Sequence, residues 1–105
     1  MNITKNIIVN EVRISYSVHG SGTPVILLHG WACNQKFWKN QIGPLSKDHQ
    51  VFAPDFRGHG LSEVPDDGYT LAGLAEDIHL MIENLNLPPT VVIGHSMGGM
   101  VAQQL

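Results

Sequence analysis

The sequence predicts an α/β fold in which an antiparallel hairpin leads into parallel strands with helices on both faces of the sheet. One stretch alternates strictly between apolar and polar residues, which is typical of a strand with one exposed face. Three later runs are short and apolar without alternation, as in strands buried on both faces. Segments with helical spacing separate these runs, and strands that alternate with helices pair in parallel through right-handed crossovers.

The first predicted element is the hairpin. Val12–Val18 places its four apolar residues on one face, with Ser15, Ser17 and an arginine on the other, which predicts a half-exposed strand. Ile7–Val9 comes just before it, across a two-residue connection. Glu11 in that connection is a poor residue for the positive φ angles of a tight turn.

The three buried strands are predicted at Val25–Leu28, Val51–Ala53 and Val91–Ile93. The sequence also predicts two helices between them. Leu71–Leu85 carries apolar residues at three- and four-residue steps after a Thr70 start, and the prolines at 88 and 89 prevent its continuation. Phe37–Leu45 has the spacing of a shorter helix, which the proline at position 44 kinks or ends.

Composition places the chain among globular proteins. Of its 105 residues, 43% are hydrophobic and 14% charged, and the formal net charge is -3. These values fit one domain over residues 1–105 and do not fit a disordered chain. The six lysines and arginines are scattered between Lys5 and Arg57, so no basic surface is predicted and nucleic acid is not expected as a partner.

No segment predicts a membrane span or a secretory leader. The longest strongly apolar run, Val25–Leu28, is far shorter than the roughly 20 residues that cross a bilayer. Met1–Asn10 lacks a basic start followed by an apolar stretch. The single cysteine, Cys33, cannot form an internal disulfide, which agrees with a reducing compartment. We therefore expect a cytoplasmic protein.

A glycine-flanked serine carries the strongest chemical signal. Val91–Ile93 leads into Gly94-His95-Ser96-Met97-Gly98-Gly99, and the helix-compatible segment Met100–Leu105 follows. A sharp turn from strand to helix lifts the serine hydroxyl clear of the sheet, and the close approach of strand and helix leaves little space for a Cβ at Gly94 or Gly98. The start of the helix directs free N–H groups toward any anion beside Ser96.

Two other interpretations of this motif are less consistent with its surroundings. A glycine-rich turn with an idle serine is disfavoured, because the motif lies between an apolar strand and a helix. A phosphate-binding loop is disfavoured because Met100 stands where such a loop carries lysine.

The chain resembles the α/β-hydrolase family in three stretches that occur in the order of that family. They are His29-Gly30-Trp31, the segment Asp55-Phe56-Arg57-Gly58-His59-Gly60-Leu61-Ser62, and the turn at Ser96. The residues of these stretches are most similar to those of small carboxylesterases and cofactor-free haloperoxidases. The resemblance covers nearly the whole chain and implies the N-terminal part of an α/β-hydrolase sheet, with no cofactor required.

The resemblance also implies roles for individual residues. Ser96 would be the nucleophile, and the backbone N–H groups of Trp31 and Met97 would form the oxyanion hole. Gly30 would let the chain approach the substrate, whereas the side chain of Trp31 would either line an acyl pocket or pack on the core. The turn would be supported by Gly94, His95 and Gly98, with the His95 ring packing or bonding locally rather than acting as the base.

The remaining polar residues of these stretches are interpreted as structural. Asp55 and Arg57 are expected to bond the backbone or each other, because charged loop residues are usually structural or solvated. His59 is interpreted as a loop residue rather than a base. The six histidines include no pair with metal-ligand spacing on one element, so no metal site is predicted.

The serine needs a histidine and a carboxylate to become a nucleophile. In this family both follow the serine, and the polar residues after the turn, Gln103 and Gln104, can fill neither role. We therefore expect the reading frame to continue past Leu105 and to supply an Asp or Glu and then a His. The alternative is a complete short product, in which Val91–Ile93 would be an uncovered sheet edge.

The predicted function is that of a serine hydrolase acting on a small acyl substrate through an acyl-enzyme. Family members with Asp at the turn, such as dehalogenases and epoxide hydrolases, are disfavoured because position 96 is Ser. A non-catalytic ligand-binding module on the same fold is the alternative. Haloperoxidase activity uses the same residues as esterase activity, so the sequence leaves that choice open, together with substrate identity and oligomeric state.

Overall fold

The structure is a computed structural model and describes residues 3–105. Met1 and Asn2, the first residues of the predicted domain and of the segment considered for a leader, lie outside the described residues. The chain forms a five-stranded sheet in the order β1-β2-β4-β3-β5. The elements are β1 (Ile3–Val9), β2 (Val12–His19), β3 (Thr23–Leu28), a 3-10 turn (Gln35–Trp38), α1 (Lys39–Leu45), β4 (His49–Pro54), α2 (Leu71–Asn84), β5 (Val91–Gly94) and α3 (Met97–Gln104).

The predicted hairpin forms in spite of Glu11. Strands β1 and β2 are antiparallel, with Val9 opposite Val12, so Asn10 and Glu11 are the two turn residues. Both have positive φ angles, 49° and 62°, which gives the turn the twist that suits the two strands. The pairing of the flanking apolar residues outweighs the poor local preference of Glu11.

Strand β2 is buried on both faces from Ile14 to Ser17, so the prediction of a half-exposed strand holds only at Arg13, which is exposed. Ser15 and Ser17 are each only 1% exposed. The segment after β4 continues the pairing along the edge of β2: the N–H of Ser15 donates to the Ser62 hydroxyl over 2.8 Å, and the N–H of Asp55 donates to the Ser15 carbonyl over 2.8 Å. The alternating pattern reports the polarity of the two faces, whereas burial depends on the packing of the whole fold.

Helices pack on both faces of the sheet, as the sequence predicts. On one face Ile26, Leu28 and Phe52 join the apolar side chains of α2 and α3 in the larger core cluster. On the other face Val25 and Leu27 pack with Trp38 and the apolar residues of α1. Since successive strand residues point to opposite faces, β3 contributes to both clusters and lies at the centre of the fold.

The helix boundaries differ modestly from those predicted. Helix α2 begins after Thr70, whose hydroxyl accepts from the N–H of Gly73 over 3.0 Å, and it stops at Asn84 before the two prolines. The predicted helix Phe37–Leu45 is a 3-10 turn followed by α1, and Pro44 lies within the last turn of α1. A proline so close to the end leaves few helical hydrogen bonds to be lost.

Strands β3, β4 and β5 bring three loops to one edge of the sheet. Strand β3 is parallel to both β4 and β5, so the residues that follow each strand leave at the same edge. These loops begin with His29, Asp55 and His95, which lie in the three motif stretches. None of the helices between residues 3 and 105 has the length and apolar character that a membrane crossing requires.

Candidate active site

Ser96 occupies a strained turn between β5 and α3. Its φ and ψ angles are 56° and -118°, a region that a residue with a Cβ occupies only at a cost of about 1–3 kcal/mol. The residue is exposed. Its carbonyl accepts from the N–H groups of Gly99 and Met100 over 2.9 and 3.1 Å, so the first turn of α3 holds the strained backbone in place.

Close packing of backbone atoms requires glycine on both sides of the serine. A Cβ on Gly94 would lie 2.3 Å from the carbonyl oxygen of Gly98, and a Cβ on Gly98 would lie 2.1 Å from the carbonyl oxygen of Leu28. Both distances are far inside van der Waals contact, and the opposing atoms are backbone atoms that cannot rotate away. The turn therefore lies directly against the end of β3.

The loop after β3 contacts the serine. A Cβ built on Gly30 would lie 3.5 Å from the Ser96 Cβ and 3.6 Å from the His95 Nδ1, which is ordinary van der Waals contact. Internal packing therefore does not force glycine at position 30, and its effect is to leave space beside the Ser96 side chain. The N–H of His95 donates to the Leu28 carbonyl over 3.0 Å, which ties the two loops together.

Two backbone N–H groups, one following Gly30 in the chain and one following Ser96, have no partner among the described residues. In the part of the chain that the structure describes, neither the N–H of Trp31 nor that of Met97 donates to another protein group. Met97 is the first residue of α3, where backbone N–H groups lack helical acceptors. These two groups are the ones that the family resemblance assigns to an oxyanion hole.

His29 is a fully buried, neutral histidine that links two of the three motif stretches. Its Nε2 accepts from the N–H of Phe56 over 3.2 Å, so the ring proton belongs on Nδ1, which donates to the Gly30 carbonyl over 2.7 Å. Burial lowers the pKa of His29 below its usual value, with a smaller lowering contribution from His59 and opposing contributions from the Gly30 bond and Asp55. Both ring nitrogens are satisfied only in the neutral form.

Asp55 bonds the backbone, which is one of the two arrangements predicted for it; the other was a bond to Arg57. Its carboxylate accepts from the N–H of Gln35 over 2.7 Å and from the N–H of Leu61 over 3.0 Å. A Cβ on Gly60 would lie 2.3 Å from the same carboxyl group. The side chain thus fastens the 3-10 turn to the loop after β4, and it has no direct contact with Ser96.

Arg57 pairs with a residue that sequence reasoning missed. Its guanidinium makes two bonds to Asp77 in α2, from Nε over 2.7 Å and from Nη2 over 2.8 Å, and a third to the Asp67 carbonyl over 2.8 Å. The hydrogen bond to Asp77 raises the pKa of Arg57 above its usual value. A signal was present, because Asp77 lies next to Ile78 within the apolar stripe of α2, where a carboxylate needs a partner.

The side chain of Trp31 lies at the rim of a cavity rather than in the core. It is 61% exposed and its ring meets that of His59 edge-on at 5.0 Å. The cavity has a volume of about 460 Å³ and is also lined by Cys33, Asn34 and Tyr69. His59 itself bonds the Arg57 carbonyl through Nδ1 over 2.9 Å, which matches its interpretation as a loop residue.

The ring of His95, next to the serine in the chain, packs locally. Its centroid lies 4.6 Å from that of the Phe37 ring, and the two rings are inclined by 32°.

Within residues 3–105, no group of three or more His, Cys, Asp or Glu side chains converges as metal ligands would.

The chain belongs to the alpha/beta hydrolase family. The model of that family, described as the alpha/beta hydrolase fold, matches residues 23–105. A soluble epoxide hydrolase of Corynebacterium sp. (strain C12) is 40% identical over 94 residues, which is 90% of this chain and 33% of that protein. A non-heme chloroperoxidase of Kitasatospora aureofaciens is 36% identical over 89 residues, which is 84% of this chain and 32% of that protein.

Solved structures show the same fold. The ligand-free epoxide hydrolase CorEH superposes with a TM-score of 0.96 at 36% identity, over 99% of this chain and 37% of that one. Est816, described as an N-acyl homoserine lactone degrading enzyme, superposes with a TM-score of 0.92 at 34% identity, over 96% of this chain and 39% of that one. The chain thus spans about a third of the length of the relatives that it matches.

Proposed function

We propose that this chain supplies the nucleophile and the oxyanion hole of a serine hydrolase that acts on small acyl substrates through an acyl-enzyme. The observation that carries the proposal is the exposed Ser96 at a strained positive-φ turn, packed against the loop of Gly30. The N–H groups of Trp31 and Met97, which follow Gly30 and Ser96 in the chain, have no partner among the described residues. Glycine would relieve the strain at this position but would carry no hydroxyl, so the strained turn is consistent with a serine that acts as a nucleophile.

The arrangement suits acyl transfer. Attack of the Ser96 Oγ on a carbonyl carbon forms a tetrahedral intermediate, whose oxygen becomes negative and accepts from the two N–H groups. Fixed donors of this kind contribute about 2.7–4 kcal/mol each to lowering the barrier. Collapse of the intermediate expels the leaving group and leaves an ester on Ser96, which water then hydrolyses.

The proposed mechanism also needs a histidine as general base and a carboxylate that orients it, and the described residues do not supply this pair. No described side chain hydrogen-bonds the Ser96 hydroxyl, and His29 has both ring nitrogens engaged. We place the histidine and the acid in the remainder of the full-length protein, consistent with a chain that spans about a third of its relatives.

The chemistry of serine favours acyl substrates over epoxides, although relatives are named epoxide hydrolases. A carboxylate that opens an epoxide forms an ester, which water can cleave. Ser96 opening an epoxide would form an ether, which resists hydrolysis and would leave the enzyme blocked. An acyl group on Ser96 is an ester and turns over, so the residue at the turn points to esters, thioesters or lactones.

A fluorophosphonate probe tests the proposal on the full-length gene product. We expect the probe to label Ser96, and labelling to disappear in Ser96→Ala. Ser21→Ala is the matched control, because Ser21 is exposed before β3 at the opposite edge of the sheet, and it should label like the parent. Absence of labelling in folded protein, or labelling that survives Ser96→Ala, would contradict the proposal and favour the ligand-binding alternative.

A further inference from the structure

We propose that His29 is a positioning residue for the oxyanion hole, because its hydrogen bond to the Gly30 carbonyl fixes the peptide plane that presents the Trp31 N–H. The inference deepens the proposed function and rests on it. It concerns a residue that touches neither the substrate nor Ser96.

The geometry of the peptide group carries the first step. The Gly30 carbonyl and the Trp31 N–H belong to one planar peptide unit, and the described residues contain no cis bond. In a trans unit the C=O and the N–H point in opposite directions. Any group that holds the Gly30 oxygen therefore also sets the direction of the Trp31 N–H, which points away from the buried ring.

The Gly30 oxygen is held from two sides. The Nδ1–H of His29 donates to it over 2.7 Å, and the N–H of Cys33 donates over 3.2 Å. Donation to the carbonyl also polarises the peptide unit, which strengthens its N–H as a donor. Rotation of the unit would break both bonds, and since His29 is fully buried, solvent does not readily replace the ring.

The other side of the ring decides which nitrogen carries the proton. Phe56 donates its N–H to Nε2 over 3.2 Å, so Nε2 must have a free lone pair and Nδ1 must be the donor. The ring is also packed edge-on against the Phe56 ring at 4.9 Å. The loop after β4 thus fixes the tautomer that the loop after β3 needs.

Two amide substitutions separate the two bonds of His29 in the full-length protein. In His29→Asn the side-chain nitrogen falls near the position of Nδ1 and can donate to the Gly30 carbonyl, whereas the bond from Phe56 is lost. In His29→Gln the longer side chain carries its amide near the position of Nε2, accepts from Phe56 and does not support Gly30. Each variant keeps one bond and loses one, so the two are matched in the number of bonds lost.

For p-nitrophenyl acetate hydrolysis, we expect His29→Gln to lower kcat by about 100-fold, since a donor misplaced by about 1 Å has an effect of that size. We expect KM to stay within about twofold of the parent value, because the donor acts on the transition state. His29→Asn should retain kcat within about tenfold. Equal kcat losses in both variants, following their thermal stability, would overturn the inference and indicate a structural role alone.

Two measurements decide the inference independently of activity. Nitrogen-15 NMR of the histidine rings should show His29 as the neutral form protonated on Nδ1, and an Nε2-protonated ring would overturn the inference. A crystal structure of His29→Gln should show a rotated Gly30–Trp31 peptide, and an unchanged plane would overturn it. If the parent protein neither labels nor hydrolyses the ester, the proposed function fails, while these two readouts still test the role of His29.

Discussion

Arg57 and Asp77 form a buried two-point ion pair, with Nε–Oδ2 and Nη2–Oδ1 distances of 2.7 and 2.8 Å. Arg57 follows β4, and Asp77 lies in α2. The pair therefore joins the motif loop to the helix that covers one face of the sheet. Gly68 makes room for it, because a Cβ there would lie 1.9 Å from the guanidinium.

We expect Asp77→Ala to lower the free energy of unfolding by about 3–5 kcal/mol, since it leaves a buried guanidinium without its counter-charge. Urea denaturation of the full-length protein measures the effect. Glu76→Ala is the control, because Glu76 is the exposed neighbour on α2 and should change stability by less than about 0.5 kcal/mol. A loss below about 1 kcal/mol for Asp77→Ala would show that the pair is dispensable.

Two glycine-to-alanine substitutions should have opposite effects. Gly98→Ala places a Cβ 2.1 Å from the Leu28 carbonyl oxygen, and we expect it to lower the free energy of unfolding by about 1–3 kcal/mol or more. Gly43→Ala in α1 meets no atom within 4 Å, and we expect it to raise stability by about 0.4–1 kcal/mol through reduced freedom of the unfolded chain. Thermal unfolding measures both, and two effects of the same sign would contradict the packing argument.

Local patterns predicted most of the fold. The three- and four-residue spacing that predicts α2, and the short apolar runs that predict β3, β4 and β5, depend only on which faces of an element are buried. The turn at Ser96 was also predictable, because strand, glycines and helix adjoin one another in the sequence. Each of these features is encoded within about 15 residues.

Features that depend on distant residues were not predictable. The N–H of Ser15 donates to the hydroxyl of Ser62, 47 positions later, and no local pattern reports that partner. Arg57 pairs with Asp77, 20 positions later, and although the place of Asp77 in the apolar stripe of α2 indicates that this carboxylate needs a partner, no local pattern identifies Arg57 as that partner. The role of His29 needs the direction of a carbonyl group, which no residue pattern reports.

The buried His29 should make stability depend on pH. Burial lowers its pKa in the folded protein, with a further lowering contribution from His59 and opposing contributions from the Gly30 bond and Asp55. Below the unfolded value of about 6.5, the unfolded chain therefore binds a proton that the folded protein does not. The stability associated with neutral His29 is therefore fully present above about pH 6.5. As pH falls from there toward the pKa of the folded protein, the free energy of unfolding decreases by at most about 1.4 kcal/mol per pH unit.

We expect the His29→Asn variant to lack the loss of stability that protonation of His29 causes below about pH 6.5. Urea denaturation at pH values between about 7.5 and 4.5 measures the free energy of unfolding across this range. His79→Asn, on the exposed side of α2, is the control and should retain that loss of stability. Parallel curves for the parent and His29→Asn would contradict a neutral, buried His29.

Strain at the nucleophile predicts that activity and stability conflict at position 96. Ser96 has φ and ψ angles of 56° and -118°, which glycine adopts without steric strain, so we expect Ser96→Gly to raise the free energy of unfolding by up to about 1–3 kcal/mol while abolishing fluorophosphonate labelling. Ser96→Ala also loses the hydroxyl but keeps the Cβ, so it should lose labelling without that gain. Neither variant has a nucleophile, so the difference between them reports backbone strain at position 96, reduced by the greater freedom of glycine in the unfolded chain. Equal stability of Ser96→Gly and Ser96→Ala in thermal unfolding would show that the turn stores no strain and would remove the argument that the serine is held there for its chemistry.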